Sequence, residues 1–266
     1  MSLYTLMINN TPFFRTRIYG DAAIVIDIGE SPVHSISISE EDQSRQVIFW
    51  ALQDHLAQRL PSGVTDLVLG QENLTIVFEP LQIDLAVISI WLNRELQNFR
   101  TLNAGINERL HPQSSGDGAK KRGAEHEHQS GHLRKHHVFD ACFGGASGPD
   151  LDSLAKARKM SEKKFIELLC SNEYHVQFLG FQPGFPYMSG LSRELFASRL
   201  NEPRAMVAAG SIAIGHNRLG IYPQASPGGW RIIGKIDHKH LPLADFTKDP
   251  PARLRPGDRV TFRVST

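Results

Sequence analysis

Hydrophobic positions along the first hundred residues switch between two periods. "RTRIYG" and "AAIVIDIG" read as a strand pair, joined at the turn dipeptide Gly20-Asp21. Downstream, Ile48, Leu52, Leu56 and Leu60 recur at every fourth position and line one face of a helix. Ser39 fits the N-cap of that helix, with Glu40, Glu41 and Asp42 at the positive end of its dipole, and Pro61 and Gly63 stop it. "VTDLVLG" and "NLTIVFEP" predict two further strands. Leu85, Ile88, Leu92, Leu96 and Phe99 then mark one side of a second amphipathic helix over Ile83 to Phe99. Strand, strand, helix, strand, strand, helix predicts a small α+β domain over 1–102 with both helices on one sheet face.

The pattern stops at residues 103–135, which are rich in Gly, Ser, Gln, Lys and His and almost empty of large apolar side chains. Such a segment buries too little surface to order itself and reads as a flexible linker or insertion. From His136 the pattern resumes. "HHVFDACFGG" predicts a strand, Asp150 to Lys159 and Ser161 to Leu169 two short helices, the second capped by Ser161. "MVAAGSIAIG", "LGIYP", "GWRIIGKI" and "DRVTFRV" are short strands punctuated by Gly, Pro and Asn, and "RPGDRV" is a tight turn into the last one. Residues 136–266 therefore read as a mainly β, closed or nearly closed barrel domain.

Composition narrows the function classes. The 266 residues carry 29 Lys and Arg against 28 Asp and Glu, a balance that argues for neither nucleic acid nor an anionic membrane as partner. Cys142 and Cys170 are too few for a disulfide framework and read as buried reduced thiols. The N-terminus lacks the pattern of a signal peptide and no window has the run of apolar residues of a membrane span, so the expectation is a cytoplasmic protein. His126, His128 and His132 lie close together, but no cysteine accompanies them and the surrounding chain is loose; no metal site is assigned.

Candidate chemistry concentrates in two places. "FLGFQPGFPYMSG", at 178–190, is uncharged, aromatic and stiffened by prolines. Tyr174, Val176 and Phe178 alternate as a strand that enters this loop. Its glycines let a ligand approach the backbone, Phe181, Pro183, Phe185 and Tyr187 supply apolar walls, and Gln182 offers a neutral donor and acceptor. The plainer alternative is that the loop closes the end of the barrel. Further on, Arg204, Ser211, Tyr222, Ser226 and Arg231 are polar groups set among glycines and prolines, and an arginine there suits a carboxylate or a phosphate. The phosphate-loop, nucleophile-elbow and H-E-x-x-H patterns are absent, and no catalytic residue is assigned.

Taken in order, "EYHVQFLGFQPGFPYMSGL", "EPRAMVAAGSIAIG", "GIYPQASPGGWRIIGK" and "LRPGDRVTF" resemble the family of the B-type 5-oxoprolinase subunits, allophanate hydrolase subunit 1 and the sporulation histidine-kinase inhibitor. The likeness extends upstream through "CFGGASGPDLDSLAKARKMSEKKFIELL" and more faintly to "IYGDAAIVIDIG" and "GVTDLVLGQENLTIVF". It implies an α+β N-terminal domain followed by a cyclophilin-like β-barrel. It also implies a heteromer with a homologous second subunit, of the 5-oxoprolinase C type, and often with a third protein of the A type. In oxoprolinase members the assembly opens 5-oxo-L-proline to glutamate while hydrolysing ATP, and a single subunit is inactive. The other family readings are a non-enzymatic histidine-kinase inhibitor and an allophanate hydrolase or urea amidolyase-type component. The chain departs from the family's common pattern at Ala208, where relatives have proline, at Arg218-Leu219 in place of Gln-Thr, and at Leu169 in place of histidine.

Overall fold

A computed structural model describes residues 7–10, 14–28, 38–102 and 134–265, and the chain divides into two compact units, 1–133 and 134–266. The histidines at 126, 128 and 132 lie outside the described residues. In the first unit, β1 (Met7–Asn10), β2 (Phe14–Tyr19), β3 (Ala23–Ile28), β4 (Val64–Leu69) and β5 (Asn73–Phe78) form an antiparallel sheet in the order β1-β2-β3-β5-β4. Gly20, with φ at 66°, makes the expected turn between β2 and β3. Cross-strand register puts Thr16, Ile26, Leu74 and Leu69 in one row and Ile24, Ile76 and Leu67 in the next, all buried on a single face.

Two helices, α1 (Ile38–Ala57) and α2 (Leu85–Leu102), supply the other side of that core with Ile48, Leu52 and Leu56 from the first and Ile88, Leu92, Leu96 and Phe99 from the second. Two expectations need correction. Helix α1 starts at Ile38, so Ser39 lies inside it rather than capping it. It also ends before Leu60, which falls in the following turn and is exposed. Between the helices Glu95 is buried and meets His55 Nε2 at 3.1 Å and Arg94 Nε at 3.2 Å. Burial, then the charge of Arg59, lowers the His55 pKa against the pull of Glu95.

The second unit contains a closed barrel of seven strands. They are β6 (His136–Phe143), β7 (Tyr174–Leu179), β8 (Pro186–Ser189), β10 (Ser211–Gly215), β11 (Arg218–Ile221), β13 (Arg231–Ile236) and β14 (Arg259–Val264). Around the barrel the order is β10-β11-β8-β7-β14-β6-β13, and β6 with β14 is its parallel joint. A two-stranded ribbon of β9 (Arg204–Val207) and β12 (Ser226–Gly228) stands apart from it. Every barrel strand contributes to one interior core, among them Phe139, Tyr174, Val176, Met188, Ile214, Leu219, Ile233 and Phe262. Helices α3 (Leu151–Ala157) and α4 (Glu162–Cys170) extend that core with Leu151, Phe165 and Leu169. Ser161 caps α4 as expected, its hydroxyl accepting the Lys164 N–H at 3.2 Å. Cys170 is half-buried but Cys142 is exposed on β6, a correction to the expectation of two buried thiols.

The turn at 255–258 fastens the parallel joint. Asp258 is buried, and its carboxylate accepts the N–H of Lys135 at 2.9 Å and that of Arg255 at 2.9 Å, and lies 3.0 Å from His137 Nε2. Gly257, at φ 89°, lets its own N–H reach the Val176 carbonyl at 2.7 Å. One carboxylate thus joins the entry to β6, the turn before β14 and, through that turn, β7. Burial alone would push the Asp258 carboxyl up, but hydrogen bonds from His137, Lys135 and Arg255 outweigh it and hold the group below its usual value.

Outside the barrel wall lies a second, aromatic core: Phe185, Tyr222 and Trp230 with Val207, Ala213 and Ile232. Alternation along β10 explains it, since Ile212 and Ile214 face the interior and Ala213 the outer core. Each of the three rings sits against a glycine. A Cβ at Gly215 would overlap the Trp230 indole, one at Gly228 the Tyr222 hydroxyl, and one at Gly220 would stand 2.6 Å from the Phe185 ring. Spacing of glycine through "SIAIG", "LGIYP" and "SPGGW" therefore records where rings need room.

Two outcomes are expected. Asp258→Ala should destabilise the second unit by roughly 2–4 kcal/mol at pH 7, because it strips a buried carboxylate from three partners. The wild-type advantage is present above the unfolded carboxyl value of about 3.9 and is lost as pH falls through the depressed folded value. Urea unfolding at pH 7 and pH 3 checks both points. Gly220→Ala should cost about 1–3 kcal/mol through overpacking, and Phe185→Leu in the same chain should recover part of it in a double-mutant cycle.

Candidate functional site

"FLGFQPGFPYMSG" forms the end of β7, a tight loop, and β8. Within the loop the Gln182 N–H donates to the Gly180 carbonyl at 2.7 Å, and the Phe185 N–H donates to the Gln182 carbonyl at 3.0 Å. Phe181 adopts a left-handed φ of 65°, a costly conformation for a bulky residue. Its ring stays 62% exposed while packing edge-on to Phe185 at 5.5 Å and Tyr222 at 6.2 Å. The strand alternation expected through Phe178 also breaks. A bulge between Val176 and Phe178 turns Phe178 out to stack on Tyr187 at 4.5 Å, and Gln177 is buried with its amide on the Ser189 hydroxyl.

Facing this loop is the segment 243–253, folded back on itself by Asp245 N–H to Pro251 carbonyl (2.7 Å) and Arg253 N–H to Leu243 carbonyl (2.8 Å). Gly184 presses against it so closely that a Cβ there would stand 2.8 Å from that of Ala244. Between the two runs a cleft of about 430 Å³, lined by residues 179–184 with Ala244, Phe246, Pro251 and Ala252. Phe246, 75% exposed, stands on the wall opposite Phe181. No lining residue carries a charge, and Gln182 Nε2 is a buried donor with no hydrogen-bond partner. Such a lining suits a neutral, largely apolar body.

A second locality is built on Asp150. This residue heads α3, yet its carboxylate does not cap the helix. Instead Oδ2 accepts the Ile232 N–H at 2.7 Å and Oδ1 accepts from Arg204 Nη2 at 2.8 Å. Asp150 is buried, so it holds β9 to β13 through a charge-assisted pair. Arg204 Nη1 is also buried and has no acceptor. The phenol of Tyr222 lies nearby; burial raises its pKa, while the Trp230 backbone, Arg199 and Arg204 oppose that.

The predicted residues thus separate. Phe181, Gln182 and Pro183 line the cleft, and Phe185, Tyr187 and Tyr222 form the aromatic wall behind it. Arg204 and Arg231 belong to the second locality, Arg231 donating through Nε to the Ser198 carbonyl at 3.2 Å. Ser211 is buried at the start of β10, and Ser226 turns its hydroxyl to the Pro227 carbonyl. Of the departures, Leu169 and Leu219 are barrel-core side chains outside the cleft lining, and Arg218 is buried on β11. Asp150, Trp230 and Phe246 escaped sequence reasoning. In sequence Asp150 reads only as the first residue of a helix, which carries no signal of its long-range partners.

The family model for the carboxyltransferase domain, subdomain C and D, matches residues 14–254. The B-type 5-oxoprolinase subunit of Haemophilus influenzae is 38% identical over 246 residues, which cover 90% of this chain and 97% of that protein. The protein of the same name from Escherichia coli O157:H7 is 52% identical over 120 residues, or 45% of this chain, and this match spans 54%, about half, of that relative's length. Among solved structures, TTHA0988 in space group P6522 superposes with a TM-score of 0.64 at 25% identity, over 92% of this chain and 40% of that one. The chain belongs to the carboxyltransferase domain, subdomain C and D family, in company with the B-type 5-oxoprolinase subunits.

Proposed function

We propose that this chain is the B-type subunit of a heteromeric, ATP-dependent 5-oxoprolinase that opens 5-oxo-L-proline to L-glutamate. The observation that carries the reading is the 38% identity, over nearly the full length of both chains, to the B-type 5-oxoprolinase subunit of Haemophilus influenzae. Its partners on this reading are a homologous C-type subunit, with an A-type protein as the third component. A lactam is a poor electrophile, and phosphorylating its oxygen would give the ring carbon a better leaving group. The chain has no phosphate-loop motif, so the ATP site is assigned to the assembled complex.

Within that assembly the uncharged cleft suits the neutral amide ring. Gln182 is its polar contact, because a buried donor without a partner is costly unless a ligand oxygen meets it. Stiffness matters as much as composition: Pro183, Gly184 and the packed Phe185 hold the rim in place before anything binds.

Co-expression with its partners should yield glutamate from 5-oxoproline only when ATP is present, and an assembled complex without that activity would sink the reading. In the active complex Gln182→Ala should raise the KM for 5-oxoproline about 5- to 10-fold, the range of one neutral hydrogen bond. Its thermal midpoint should hold or rise slightly, since the change removes an unsatisfied buried donor. A fall in thermal stability that accounts for the lost activity would give Gln182 a structural role instead.

A further inference from the structure

The cleft cannot neutralise a charged ligand, whereas the Asp150 locality holds cations in excess. Both carboxylate oxygens of Asp150 are engaged, one by Arg204 and one by the Ile232 N–H. Three more guanidiniums are tied to the adjoining residues Trp230 and Arg231. Arg199 lies over the Trp230 ring, its Cζ 5.7 Å from the centroid. Arg231 follows Trp230 in sequence and is tethered to the Ser198 carbonyl, next to Arg199. Half-buried Arg158, at the end of α3, has its pKa lowered by burial first and by Arg231 second. Among the described residues no carboxylate lies within ion-pair distance of Arg158, Arg199 or Arg231.

Four arginines with one committed carboxylate repel one another, the more so where water is partly excluded. Surface arginines ordinarily spread into solvent or find an acid. These are held by backbone, by an indole and by Asp150, and Arg204 keeps one buried nitrogen without an acceptor. Guanidinium geometry matches a planar carboxylate or a phosphate face. We propose that Arg204, Arg199 and Arg231, supported by Arg158, form an oxyanion-binding site for the carboxylate or phosphate group of a small ligand. Arg199 is exposed and meets the anion first; Arg204 anchors it, with Asp150 fixing the guanidinium. The site is independent of the proposed activity, because it rests on this unit's own charges.

Calorimetric titration of the full chain, without partners, tests it. Three probes are used: 5-oxoproline, 2-pyrrolidinone (the same lactam without the carboxylate) and inorganic phosphate. Binding of 5-oxoproline but not 2-pyrrolidinone identifies a carboxylate as the anion, and binding of phosphate alone identifies a phosphate. In either case Arg204→Gln should weaken binding roughly 10- to 100-fold, the range of a charge-assisted hydrogen bond. Arg199→Gln, which leaves Asp150 untouched, should weaken it about 3- to 10-fold, and higher salt should weaken it further. This second variant decides the matter if Arg204→Gln does not fold. The proposal is overturned if neither anion binds, if 2-pyrrolidinone binds as well as 5-oxoproline and phosphate does not bind, or if the affinity is unchanged in the folded variants. Loss of turnover in the assembled complex with intact anion binding would refute only the oxoprolinase reading.

Discussion

A ring of strands can alternate in direction all the way round only if their number is even. With seven strands at least one joint must be parallel, and here it is β6 with β14. A parallel joint cannot be closed by a short hairpin, and the strands it pairs are the first and last of the barrel. Closure therefore needs a fastening that local sequence does not supply. Asp258 supplies it, by taking N–H groups from Lys135 and Arg255 and pairing with His137. The interior core, the outer aromatic core and both candidate localities hang on a wall that this joint completes.

Much of the architecture was legible in the sequence because it depends on neighbours. Gly20, Ser161 and the "RPGDRV" turn act through local backbone geometry, and each does what its residue type predicts. The differences have both local and long-range causes. Phe178 continues an alternating pattern, but a bulge set by pairing with β8 turns it outward. Leu60 keeps the fourfold rhythm of α1 yet lies past the end of the helix. Asp150 reads only as the start of a helix, and the return of β9 and β13 from 54 and 82 residues away gives its carboxylate its partners. Hydrophobic period reports which face is buried; it says nothing about which partner arrives to bury it.

The site residues show the same division. The cleft was readable as an uncharged aromatic rim because its first wall is contiguous, residues 179–184. Its second wall comes from 243–253, where Phe246 and Pro251 look like ordinary loop residues in sequence. The two localities also differ in kind. One is apolar with a single unsatisfied amide donor, and the other is a cluster of cations around one acid whose two oxygens are both engaged. Solvation makes those environments suit different chemistry, since a charge is expensive in the first and a neutral ring gains little from the second.

The position of β14 has a consequence for how the protein is made. Until residues 259–264 leave the ribosome, the other six strands can form only an open sheet, running from β7 through β8, β11, β10 and β13 to β6. Both ends of that sheet present unpaired backbone, the template on which chains aggregate. The last of the seven barrel strands in chain order removes both edges at once, by pairing with β7 on one side and β6 on the other. A nascent chain stalled a few residues short would hold nearly all of its hydrophobic core and still be sticky.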